Sequence, residues 1–135
     1  MRLWHYELIP YLPKSQLLAQ WRELNSIYAK EDRHVLINYI YEYPKSDLLK
    51  YTELVLAEMR GRGVNIRTFD KMERYFEGVE AEAIPVPYAR HHDNTYLTIC
   101  YYNLFEKFLR GQKDYTKEQF EALQQYYSKK IDHSL

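Results

Sequence analysis

Four stretches of this chain repeat their apolar residues every three or four positions, and that spacing limits the fold more than any other feature. Leu17, Trp21, Leu24 and Tyr28 share one side of a helix, as do Leu48, Thr52, Val55 and Met59. Leu97, Cys100, Tyr101, Leu104, Phe105 and Phe108 make a third such face, and Phe120, Leu123 and Tyr127 a fourth. A helical period with one apolar side belongs to helices that bury a stripe against one another. The punctuation agrees. Ser15, Ser46, and Asp93 or Asn94 stand where an N-cap is favoured, while Gly61 or Gly63, and later Gly111, stand where a left-handed residue ends a helix. Thr116 with Gln119 three residues on reads as a capping box for a last helix from Lys117 to about Lys130.

The remaining segments are less periodic. Residues 1–13 contain Pro10 and Pro13 and read as an extended arm leading to a first helix from Leu17 to about Ala29, ended by the charged cluster Lys30 to Arg33. Val35 to Tyr43 is rich in β-branched and aromatic residues, but a lone strand has nothing to pair with, so an irregular segment or a short helix is expected. Thr68 caps a shorter helix through Phe69, Met72 and Phe76 to Gly78, and Pro85 and Pro87 impose an extended surface linker. The expectation is an all-α protein: a single compact domain of four to five helices with an extended N-terminal arm. At 135 residues the chain can bury a core without metal or disulfide support.

Composition narrows the function classes. Cys100 is the one cysteine, lies in an apolar helical pattern, and leaves no internal disulfide. No apolar run approaches a membrane span and the start does not read as a signal peptide, so a cytoplasmic protein without a membrane partner is expected. Fifteen tyrosines fit half-buried positions around a helical core. Of the five histidines, His5, His34, His91, His92 and His133, the adjacent pair diverges on a helix and no pair at i, i+4 completes a ligand set, so no metal is expected. Without a glycine-rich phosphate loop, zinc-ligand cysteines or a nucleophile elbow, kinase, dehydrogenase and serine-hydrolase readings have no support. Lys and Arg number 19, as do Asp and Glu, so a nucleic-acid surface would require local segregation of charge.

The stretch Leu17-Leu18-Ala19-Gln20-Trp21-Arg22-Glu23-Leu24 carries an arginine and a carboxylate behind its apolar face, with Glu23 pointed away from that face beside Gln16, Ala19 and Ser26. This stretch resembles the first helix of the pyrimidine-dimer DNA glycosylases of the phage endonuclease V type. Leu48 to Ile66 is similar to that family's second helix and its glycine-bearing exit. The opening Met1-Arg2-Leu3-Trp4-His5 extends the resemblance over about the first half of the chain.

The resemblance implies a DNA N-glycosylase with associated AP-lyase strand cleavage, acting on pyrimidine dimers or a related damaged base in double-stranded DNA, as a monomer and without a cofactor. It places Arg22 and Glu23 at the damaged nucleotide, with Glu23 as the principal catalytic carboxylate. The family's nucleophile is its N-terminal amine. An α-amine has a reference pKa of about 7.7–8.0 against about 10.4 for lysine, so an appreciable fraction is already neutral near pH 7. Phage members expose a threonine after losing their methionine, whereas the bulky Arg2 keeps Met1 in place here and sets an arginine beside it. Gln16 stands where phage members have histidine and Ser26 where they have arginine, which points to a different set of contacts. Arg2, Lys14, Gln16, Arg22, Arg33 and Arg60 are the implied DNA contacts. The alternative is a helical nucleic-acid or protein-binding module that kept the fold and lost catalysis.

Overall fold

The computed structural model describes residues 1–134, with side chains as far as Asp132, so His133 lies outside the described side chains. The described residues form α1 (Lys14–Lys30), α2 (Lys45–Gly61), α3 (Asp70–Tyr75), α4 (Asn94–Leu109) and α5 (Lys117–Ser134), with 3-10 helices at Tyr6–Tyr11 and Asn38–Glu42 and no strand. The all-α class and the five α-helices agree with the apolar spacing. The stretch that could have read as a strand contains the second 3-10 helix, with Ile37 and Ile40 turned into the core.

The N-terminal arm is more than an extended lead-in. Residues 1–5 carry no helix, but Tyr6–Tyr11 wind into a 3-10 helix opened by His5, whose Nδ1 accepts the Glu7 N–H at 3.1 Å. Leu3, Leu8 and Leu12 are wholly buried, and the segment packs against α2, α4 and α5. It is the centre of the core around which the helices gather. A six-residue helix with three residues per turn is too short to show the 3.6 period by which the other helices are recognised.

Two helix starts are capped otherwise than expected. α1 begins at Lys14 after Pro13, and Ser15 sits in its first turn. There the Ser15 N–H and Oγ both donate to the Asp114 carboxylate, at 2.6 and 3.0 Å, so the cap comes from 99 residues away. α2 begins after Pro44; Ser46 is buried in its first turn with no partner for its hydroxyl. Asp47 is buried beside it and accepts the Tyr88 N–H at 2.8 Å. Thr68 stands one residue before the N-cap Phe69 of α3, though its Oγ1 accepts the Asp70 N–H at 3.1 Å, whereas the caps of α4 and α5 fall where the sequence placed them. Asp93 Oδ1 accepts the Tyr96 N–H, and Thr116 and Gln119 make both bonds of the capping box. Gly63, at φ 76°, follows the end of α2.

The proline-bearing linker is not entirely superficial. Pro87 is buried, and Tyr88 has no exposure despite a left-handed backbone (φ 56°) that a bulky residue rarely adopts. Asp47 anchors it through the backbone bond. Tyr88 joins an aromatic cluster with Tyr39, Tyr51, Tyr96, His5 and His92. His92 Nδ1 accepts the Tyr6 N–H at 3.1 Å, so its proton sits on Nε2, 2.7 Å from the Tyr39 hydroxyl. This neutral imidazole, with the His5 ring stacked at 5.1 Å, joins the N-terminal segment to the start of α4.

Burial, reinforced by the neighbouring His5 and His91, pushes the His92 pKa down to about 2, and burial also lowers that of His5. An unfolded histidine titrates near 6.5, so above that pH both states are neutral and the full stability is present. As pH falls below about 6.5 the unfolded chain takes up protons that the folded chain refuses, and each such group removes up to about 1.4 kcal/mol per pH unit. Urea unfolding should therefore show stability that is flat above pH 7 and declines from about pH 6.5 to 5.5. Stability independent of pH over that range would mean that the histidines accept protons in the folded state.

Candidate active site

α1 turns its apolar stripe, Leu17, Leu24 and Ile27, into the core, which leaves Gln16 and Glu23 on the flank that meets the N-terminal segment. A cleft of about 270 Å³ opens there, lined by Met1, Arg2, Trp4, Gln16, Glu23 and Leu36, and closed on its far side by Asn103 and Lys107 of α4. Met1 also borders a smaller cleft, of about 200 Å³, with Asp32, Arg33 and His34.

What holds this arrangement is the side chain of Gln20, which is fully buried one helical turn before Glu23. Its Oε1 accepts the Trp4 N–H at 2.9 Å and faces the Tyr51 hydroxyl at 2.9 Å. Its Nε2 donates to the Arg2 carbonyl at 3.0 Å and to Glu23 Oε2 at 2.9 Å. The single Tyr51 hydroxyl proton is shared between Gln20 Oε1 and the Trp4 carbonyl. Tyr51 also donates to the Trp4 carbonyl at 2.7 Å, and Tyr96 donates to the Leu3 carbonyl. Side chains from α1, α2 and α4 thus supply partners that a segment without backbone pairing would otherwise lack.

Glu23 is half-buried, and burial raises its carboxyl above the usual range, against the downward pull of the N-terminal ammonium, the Arg2 backbone N–H and Arg22. The chain's first amine is therefore within electrostatic reach of this carboxylate. The Arg2 guanidinium turns inward, 5.8 Å from the centre of the Tyr96 ring and beside the Cys100 thiol, which burial shifts upward.

Met1, Arg2, Gln16 and Glu23 thus share one cleft, and Arg33 borders the adjoining one; Arg22 is exposed and lines neither, though its charge acts on Glu23. Lys14 and Arg60 are exposed elsewhere: Lys14 starts α1, about 14 Å along the axis from Glu23, and Arg60 lies in the last turn of α2. Sequence reasoning missed Gln20, Tyr51, Asn103 and Lys107. Asn103 and Lys107 share a face of α4 at i, i+4, but nothing in their spacing tells which part of the chain they meet. Among the described residues no group of three potential metal ligands comes together, and no helix is long and apolar enough to cross a membrane.

An all-helical frame thus brings the first residue of the chain and a half-buried carboxylate onto one cleft. A family model described as pyrimidine dimer DNA glycosylase matches residues 1–72, more than half of the chain, and the chain belongs to that family. By family it is a DNA-repair glycosylase. The matched region contributes every residue of the cleft except Asn103 and Lys107. No curated protein and no solved structure matches the chain.

The hydrogen bonds of Gln20 carry a direct consequence. Gln20→Leu, close in volume, strands the Trp4 N–H and the Arg2 carbonyl in the interior, where each lost partner costs about 1–3 kcal/mol. Urea unfolding should show a loss of at least about 2 kcal/mol, with faster hydrogen exchange at the Trp4 amide. A loss below about 0.5 kcal/mol would mean that water replaces the amide without cost.

Proposed function

We propose that the chain removes a damaged pyrimidine, a dimer or a related lesion, from duplex DNA and then cleaves the strand, with the α-amine of Met1 as nucleophile. The observation that carries this reading is the shared cleft, which Glu23, bonded by Gln20 and the Arg2 N–H, lines together with Met1, whose terminal charge acts on it.

In this mechanism the neutral amine attacks C1′ of the damaged nucleotide. The C1′–N bond breaks, its electron pair leaves with the base, and a proton is delivered to the departing group. Loss of a proton from the new amine and opening of the sugar ring leave an imine between Met1 and C1′. Removal of a C2′ proton then expels the 3′ phosphate by β-elimination. Glu23 stabilises positive charge on the sugar and moves protons in both directions. The burial that raises its carboxyl brings it toward the range in which one group can give and take a proton near neutral pH. Both nucleophile and proton carrier come from the chain, so this chemistry uses no metal or cofactor.

The DNA contacts divide by position. Gln16 in the cleft and Arg22, whose charge reaches Glu23, meet the damaged nucleotide, and Arg33 meets a neighbouring phosphate. Lys14 and Arg60 reach DNA only where the duplex extends beyond the cleft. Arg2, held over Tyr96, adds positive potential at the base of the cleft.

Glu23→Gln tests this reading. Its side chain lies off the apolar stripe, so the unfolding free energy should change by less than about 1 kcal/mol. Nicking of ultraviolet-irradiated plasmid should fall by at least about 100-fold, because a neutral amide neither stabilises the cation nor carries the proton. Undiminished nicking would remove Glu23 from the chemistry.

A further inference from the structure

A second concave surface lies beyond Met1, where the end of α1 meets the start of α2 and α3. Two clefts, of about 710 and 340 Å³, share Glu31, Lys45 and Tyr75 and so form one furrow. Arg33 lines both the smaller of these and the cleft that borders Met1, so the furrow runs on from the chain's first amine.

Its charge is one-sided. Lys30, Arg33, Lys45, Lys71 and Arg74 line it and all are exposed. The one carboxylate among the lining residues, Glu31, accepts the Tyr75 hydroxyl at 2.8 Å. Asp32, at the edge, is 3.7 Å from Lys30. Arg74 also lines an adjoining concavity with the acidic residues of α3 and its exit, Asp70, Glu73 and Glu77, where the basic surface stops. A protein with zero net charge has thus gathered cations along one path.

Tyrosines interleave with these cations. The Arg33 guanidinium lies 3.8 Å from the centre of the Tyr41 ring and Lys45 Nζ 4.0 Å from that of Tyr75; outside the lining, Arg90 lies 5.0 Å from the ring of Tyr43, which does line the furrow. Each half-buried ring fixes a flexible cation without neutralising it, which lowers the entropy lost when the cation meets an anion. Two ring-held cations, Arg33 and Lys45, in line with the exposed Lys71 and Arg74, match a ligand with regularly spaced negative charges. A phosphodiester backbone is such a ligand, whereas a single phosphate would need only one or two of them.

We propose that this furrow binds the phosphodiester backbone of the substrate DNA on one side of the lesion and so sets the direction in which the duplex leaves the active cleft. The proposal rests on the glycosylase reading for its substrate, and adds to it a binding track built from Lys45, Lys71 and Arg74, none of which borders the cleft of Glu23.

The test is the triple variant Lys45→Gln, Lys71→Gln, Arg74→Gln, with the pair Lys71→Glu, Arg74→Glu as a second variant should the triple fail to fold. Affinity for a short duplex containing one thymine dimer is measured over a range of salt, and base release is measured at saturating DNA. The triple variant should bind at least about tenfold more weakly, with a salt slope shallower by about 2–3, since each lost phosphate contact removes about 0.9. Base release at saturation should stay within about twofold of the wild type. A folded variant with unchanged affinity and slope overturns the track. If the wild type binds duplex but releases no base, while the variants still lose salt-dependent binding, the glycosylase reading fails and the track stands.

Discussion

The structure depends on one buried amide. A chain that threads its first residues through the middle of a helical core must satisfy their backbone groups without a strand or helix to do it. Gln20, with Tyr51 and Tyr96, meets that demand at Arg2, Leu3 and Trp4. The same amide holds Glu23, so the bonds that seal the core also fix the carboxylate relative to the first residue. Packing and site geometry cannot be varied separately here. Preorganisation of this kind removes reorganisation from the moment of reaction.

The abundance of tyrosine follows from the same topology. Leu and Ile can fill the core but cannot answer the polar groups of an irregular segment, whereas a tyrosine buries a ring and presents a hydroxyl. Tyr51 and Tyr96 bind the backbone of the first residues, Tyr126 donates to Glu7 and Tyr115 to the Tyr11 carbonyl at 3.2 Å. Near the surface the same residue type serves differently, as ring platforms beneath Arg33, Lys45 and Arg90. One side chain thus satisfies the interior and fixes cations on the rim.

Much of this was legible in the sequence because much of it is local. Helical spacing, the Thr116–Gln119 box and the Asp93 cap depend on residues a turn apart, and each appears where the pattern put it. The resemblance over the first half singles out Met1, Gln16 and Glu23, and the three line one cleft. Non-local features were not legible. The Ser15 end of α1 is satisfied by Asp114, Asp47 caps nothing but the backbone of Tyr88, and Gln20 looks like any polar residue of an amphipathic helix until Trp4 is laid across it. The furrow is the extreme case. Its cations come from α1, α2, α3 and the loop after α1, and no window of the sequence is unusually basic.

The central claim is that the first amine of the chain and Glu23 act on one sugar carbon. Borohydride reduction during reaction with dimer-containing duplex, followed by peptide mass mapping of the adduct, tests it most directly. The account predicts one covalent protein–DNA species, attached at the α-amine of Met1 and absent when that amine is acetylated. Full trapping by the acetylated protein, with the adduct on Lys107 or another lysine, would contradict it.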